Sequence, residues 1–142
     1  MERRYGRPIW FVLCAAWLAV IFGHSLMPAE LSKVESGGLL AWLSKAMPFL
    51  TDRLLRKLAH FSEFAVLGLL LAQCLRAGFS QPALAALLCA AADETVQLYV
   101  PGRSGQVRDI WIDFAGALTA VALTLLVRRI VLLRRLRRET SD

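Results

Sequence analysis

Cysteine and histidine are scarce in this chain, with three and two among 142 residues. No C-x-x-C pair links Cys14, Cys74 and Cys89, and neither His24 nor His60 sits in an H-E-x-x-H run, so the usual zinc sites have no support. Each cysteine lies in an apolar run. Placed at different membrane depths, they read as small hydrophobes and not as a disulfide framework. Acidic residues are outnumbered too, 11 against 17 Lys+Arg, which leaves a net charge of +6. That surplus raises nucleic acid as a partner, but the basic tail lacks aromatic interleaving and any nucleic-acid-binding motif. Membrane lipid is the expected partner of the tail's six arginines (Arg128, Arg129, Arg134, Arg135, Arg137, Arg138), and nucleic acid is not. Ser62 and Ser104 have no base-and-orienter arrangement, which removes serine-nucleophile chemistry.

Apolar surface is what the chain has in excess. The AVILMFWYC set makes up 57% of it; counting glycine in place of tyrosine gives about 62%, against about 45–50% in soluble domains. A chain this short cannot hide that surface from water. The expectation is a single domain over 1–142, all-α, a polytopic membrane protein with four transmembrane helices in a compact bundle. No charged residue falls between Arg7 and Glu30, and segment 9–27 is long enough to cross about 30 Å of hydrocarbon. It is longer than a signal-peptide h-region, and its exit HSLMPAE is a poor cleavage site. Three more apolar blocks, 58–75, 83–100 and 110–127, are interrupted by ionisable residues, which suits spans whose polar groups face inward. Turn chemistry at 76–82 and 101–105 separates them.

Four spans put both ends on one side. Ten Lys and Arg then lie on the side of the termini and seven on the other, so the positive-inside rule predicts cytoplasmic termini in a bacterial cytoplasmic membrane. The basic tail, 128–142, extends the last span along the cytoplasmic rim. In the long first loop, Leu39, Leu40, Leu43 and Met47 recur at helical spacing beside Trp42, which fits a short interfacial helix or a loop over the mouth of the bundle.

The ionisable residues concentrate at one depth. Lys57, His60 and Glu63 follow one face at spacing i, i+3, i+6; Asp93 and Gln97 share a face beside Glu94; Asp109 and Asp113 share another, with Gly116 a turn later. Counted from their helix ends, Glu63, Asp93 and Asp113 lie roughly 6–10 Å deep. Three separate stretches thus bring carboxyls to one level, predicting a shared cavity open to the extracytoplasmic side. Arg103 and Arg108 join it from the intervening loop. Glu63, Asp93, Glu94, Asp109 and Asp113 outnumber Lys57, Arg103 and Arg108, so a protonated His60, a protonated carboxyl or an incoming cation must balance them. These same groups can instead be interhelical glue. His60 with Glu63, Asp93 and Asp113 offers mixed N/O ligands but only one histidine, so no metal and no cofactor is assigned. His24 reads as an interface residue.

KLAHFSEFAVLG at Lys57–Gly68, DETVQ at Asp93–Gln97 and PGRSGQVRDIWIDFAG at Pro101–Gly116 resemble the VanZ-like family of small bacterial membrane proteins. The exit of the first helix, Phe22-Gly-His-Ser25, is similar to that family's F-x-x-S, and the likeness covers most of Leu13 to Thr124. Phe64 stands where Tyr is common in the family, and Asp113 where Asn also occurs. The resemblance implies a role at the cell envelope, by association with glycopeptide (teicoplanin) resistance and with no established mechanism.

Three functions are expected from the residues and the resemblance together. The first is a binding protein for an envelope component such as a lipid-linked cell-wall precursor, with Lys57, His60, Glu63, Asp93, Glu94, Gln97, Arg103, Arg108, Asp109 and Asp113 lining the site. The second is a membrane enzyme using His60, Glu63, Asp93 and Asp113 for acid–base chemistry. The third is a small transporter, which would need to oligomerise because no inverted repeat is present. The oligomeric state is not legible.

Overall fold

A computed structural model describes residues 7–43, 51–75 and 78–139. Five helices follow one another: α1 (Arg7–Ser25), α2 (Ala29–Leu43), α3 (Asp52–Leu75), α4 (Ser80–Gln97) and α5 (Val107–Glu139). The described residues contain no strand. The all-α expectation therefore holds, with shifted boundaries.

Local chemistry explains the helix ends. Pro28 lacks the N–H needed to continue α1, which closes with a Met27 N–H to His24 carbonyl bond of 3.1 Å. The Thr51 hydroxyl accepts from the Leu54 N–H at 3.3 Å, and Asp52 adds a negative charge to the first turn of α3, so this helix starts six residues before the apolar block. α4 ends at Gln97, with Leu98–Val100 in turns, earlier than hydropathy suggests. α5 continues through the arginine tail, because Leu and Arg are both good helix formers, and its 33 residues span roughly 50 Å. The first loop does contain a helix, α2, which packs against α3. It carries an exposed Trp42, while Met47 lies outside the described residues.

Three of these helices, α1, α3 and α5, are long and apolar enough to cross a membrane. α4 is not, because 18 residues containing Gln81, Asp93, Glu94 and Gln97 dilute its apolar run. It still packs against α1, α3 and α5, and exposes Leu84 and Leu88 on its outer face.

α3 and α5 run parallel and form the tightest pair. A side chain on Gly68 would overlap the Ala117 backbone, and one on Gly116 would overlap the Phe61 backbone, so bare glycines permit this approach. α1 and α4 run opposite to them. Phe64, Leu67 and Leu71 of α3, with Ile21, Ala86, Ala90 and Ala117, fill the centre. The antiparallel course of α1 and α3 corrects one expectation. Cys14 lies eleven residues before Ser25 and Cys74 eleven after Glu63, so these thiols meet at one depth, and all three cysteines remain free.

Candidate functional site

The ends of α1 and α4, the starts of α3 and α5, and the 98–106 loop meet around one cavity of about 820 Å³. Gly102 makes this loop possible: its φ of 75° is in the left-handed region, and a side chain there would press on Ala29. The Ala29 N–H donates to the Pro101 carbonyl at 3.3 Å, joining the α1–α2 link to the loop.

Arg103 locks the same junction. Its Nε donates to the Met27 carbonyl and its Nη2 to the His24 carbonyl, both at 2.8 Å, and Nη1 reaches Gln97 Oε1 at 3.5 Å. It therefore caps the C-terminus of α1, where carbonyls lack helical partners. Burial lowers the guanidinium's pKa from its ordinary value, opposed by the charge of Asp93 and reinforced by Arg56.

The wall of the cavity is cationic. Arg53, Arg56, Lys57, Arg103 and Arg108 line it, against the carboxylates Glu63 and Asp109. Lys57 Nζ lies 3.4 Å from Asp109 Oδ1, and Arg56 pairs one helical turn back with Asp52 at 2.7 Å. Arg53 and Arg108 pair with no carboxylate among the described residues. Glu63 reaches His24, not His60: its Oε1 is 2.8 Å from His24 Nδ1, while its backbone carbonyl accepts from Trp17 Nε1 at 2.9 Å.

Beneath the wall is an acidic floor. Asp93, Glu94, Gln97, Asp113 and Ser25 are all buried. The Ser25 hydroxyl donates to Asp93 Oδ1 at 2.5 Å, and Gln97 Nε2 donates to Asp93 Oδ2 at 3.0 Å and towards Glu94 Oε1 at 3.4 Å. Glu94 Oε2 accepts from the Gln106 backbone N–H at 2.7 Å, an approach allowed by Gly105, where any side chain would strike the Glu94 carbonyl. His60 Nδ1 lies 3.4 Å from Asp113 Oδ1, and neither that nitrogen nor either Asp113 oxygen makes a hydrogen bond among the described residues.

All ten residues expected at the site are thus present at one end of the helices, but on two levels. Lys57, Glu63, Arg103, Arg108 and Asp109 belong to the wall, Asp93, Glu94 and Asp113 to the floor, and His60 and Gln97 reach from the floor to the cavity. Sequence reasoning left out Arg53 and Arg56, counted only as loop charges, and His24, assigned to an interface. Ser25 and Gln106 were also left out. Of these, Ser25 had a signal, the F-x-x-S exit of the first helix.

The VanZ/LLP1 family model matches residues 10–128, which include every residue of the wall and the floor. No curated protein and no solved structure matches the chain. With 119 of 142 residues inside the family match, the chain belongs to the VanZ/LLP1 family.

Proposed function

We propose that this protein binds the anionic, phosphate-bearing headgroup of a lipid-linked envelope component, from the extracytoplasmic side of a bacterial cytoplasmic membrane. One observation carries the reading: a cavity of about 820 Å³ with five Lys and Arg side chains on its wall and two carboxylates. Guanidinium groups form paired, charge-assisted bonds with phosphate, and Arg53 and Arg108 are not engaged by a carboxylate among the described residues. Glu63, Asp109 and Ser104 offer partners for sugar hydroxyls or an amine on the same headgroup. Arg103 acts in this scheme as the clamp that shapes the cavity, because its guanidinium is already spent on the end of α1.

The membrane arrangement proposed is a four-helix bundle with both termini cytoplasmic. The exposed Leu84 and Leu88 support α4 as the fourth span despite its polar end, because they offer lipid an apolar face between neighbours that are themselves apolar enough to span. The tail arginines then meet anionic cytoplasmic headgroups.

Mass spectrometry of lipid co-purified with the protein tests the headgroup reading. Polyprenyl-phosphate lipids are expected to be enriched over bulk phospholipid, and a double Arg53→Gln, Arg108→Gln variant is expected to hold them about tenfold less tightly, as the loss of charge-assisted bonds predicts. Equal recovery from both proteins, or bulk phospholipid alone, removes this reading. A second reading, acid–base chemistry on the same lipid, is favoured by the His24–Glu63 contact at 2.8 Å on the cavity wall. Turnover of a labelled lipid-linked precursor by the purified protein, lost in Glu63→Gln, separates enzyme from binder.

A further inference from the structure

The wall and the floor differ in how their polar atoms are satisfied, and the floor has a surplus of acceptors. One nitrogen of His60 and one oxygen each of Asp93, Glu94 and Asp113 lie within 4.8 Å of one another. They come from α3, α4 and α5, so three helices converge on one point.

We infer that His60, Asp93, Glu94 and Asp113 form a binding site for a divalent transition-metal ion of the Mn²⁺ or Zn²⁺ kind. Two independent features support it. First, Asp113 is fully buried, yet among the described residues both its oxygens lack a hydrogen-bond partner, and the His60 Nδ1 facing it lacks one as well. The one basic group facing Asp113 among the described residues is His60, whose Nδ1 at 3.4 Å makes no hydrogen bond with it, and a cation at this point would engage these atoms directly. Lysine and arginine do not fill the role, since no such side chain pairs with Asp93, Glu94 or Asp113 among the described residues. Lys57 goes to Asp109, Arg56 to Asp52, and Arg103 to backbone carbonyls and Gln97.

Second, the other two carboxylates are held as metal ligands are usually held. Ser25, Gln97 and the Gln106 N–H each donate to Asp93 or Glu94, so all four oxygens accept one bond and keep a second lone pair. Such outer partners fix the direction of ligating oxygens. An ion about 2.0–2.2 Å from each atom needs ligand separations below about 4.4 Å, so the widest gap has only to close by a few tenths of an ångström. One imidazole with three carboxylates suits Mn²⁺ or Zn²⁺ better than the all-oxygen sets of Ca²⁺ and Mg²⁺. Glu63, a ligand candidate by sequence, is outside this set because it faces His24, and Glu94 takes its place.

The site does not depend on the headgroup reading, and the experiment needs no lipid ligand. Full-length protein in detergent is stripped with EDTA, exchanged into chelator-free buffer and titrated with MnCl₂, following free Mn²⁺ by electron paramagnetic resonance. A parallel equilibrium dialysis against Zn²⁺ is read by elemental analysis, and the tighter ion is assigned to the site. Saturable binding of about one ion per chain is expected, weakened about tenfold or more in Asp113→Asn and in His60→Gln, and changed less than about twofold in Asp52→Asn, whose carboxylate belongs to the α3 start. If Asp113→Asn does not accumulate, His60→Gln, which reaches the cavity surface, decides alone. Absence of saturable binding of both ions overturns the inference. So does binding undiminished in the cluster variants, or diminished equally in Asp52→Asn. Loss of lipid enrichment with metal binding intact would remove the headgroup reading and leave this one standing.

Discussion

The basic wall of the cavity and the buried acidic layer at the same end of the helices have opposite charge and opposite construction. The wall is made of long, partly exposed side chains from helix starts and a loop, several paired at 2.7–3.4 Å and all within reach of water. Such pairs contribute about 0–1 kcal/mol each and are free to re-form around a ligand. The floor is made of short, buried side chains on three helices, held by a serine, a glutamine and a backbone amide. Charge on the wall costs little and is adaptable, whereas charge on the floor is expensive and fixed in place. Variants of the floor should therefore register in stability first, and variants of the wall in ligand affinity.

The largest effect is expected from separating α3 and α5, because His60 and Asp113 face each other across this tightest helix pair. Gly116 lies one turn from Asp113, and a methyl group there meets the Phe61 backbone carbonyl, which cannot rotate aside. Gly116→Ala should cost about 1–3 kcal/mol or more as an overpacking change, seen as a lowered melting temperature in detergent and reduced accumulation. Gly23→Ala is the matched control. That position is helical with open space around it, so alanine there should be neutral or stabilising by about 0.5–1 kcal/mol. Equal losses from both would show that the α3–α5 approach has no special role.

A middle-sized effect is expected from Ser25→Ala. The hydroxyl donates to Asp93 Oδ1 in a buried setting, and its removal strands one carboxylate oxygen at a cost of about 1–3 kcal/mol. Pairing it with Asp93→Ala should give less than the sum of the single losses, because both remove the same bond. Strict additivity in that double-mutant cycle would place Ser25 outside the floor.

The two levels were unequally legible in the sequence. The periodic placement of Lys57, His60 and Glu63, of Asp93 and Gln97, and of Asp109 and Asp113 showed that these residues share one end of the helices, because helical spacing depends only on the chain itself. Their partners depended on helix rotation, which periodicity leaves open: Glu63 turned to His24, and His60 to Asp113. A count of five acids against three bases suggested one acidic cavity, but depth separated the acids from the surface and Arg53 and Arg56 tilted the wall to positive. Arg103 was expected to line the cavity as a binding residue and is held instead by backbone carbonyls, acceptors that side-chain patterns do not display. α4 fell short on hydropathy because Asp93, Glu94 and Gln97 occupy its final turns.

The smallest effect on stability, and the sharpest test of the contrast, belongs to Arg56→Gln. Arg56 makes an exposed i, i+4 pair with Asp52, so its loss should cost no more than about 0.5 kcal/mol and leave the melting temperature nearly unchanged. Binding of a phosphate-bearing lipid should nevertheless weaken, and its decline with added salt should become shallower, because one fewer screened charge contributes. The floor is shielded from that screening, so melting temperature should respond to salt much less than lipid affinity does in both proteins. A variant that melts early while binding lipid unchanged would reverse the assignment, making Arg56 a structural brace and leaving the wall's charge without a ligand to meet.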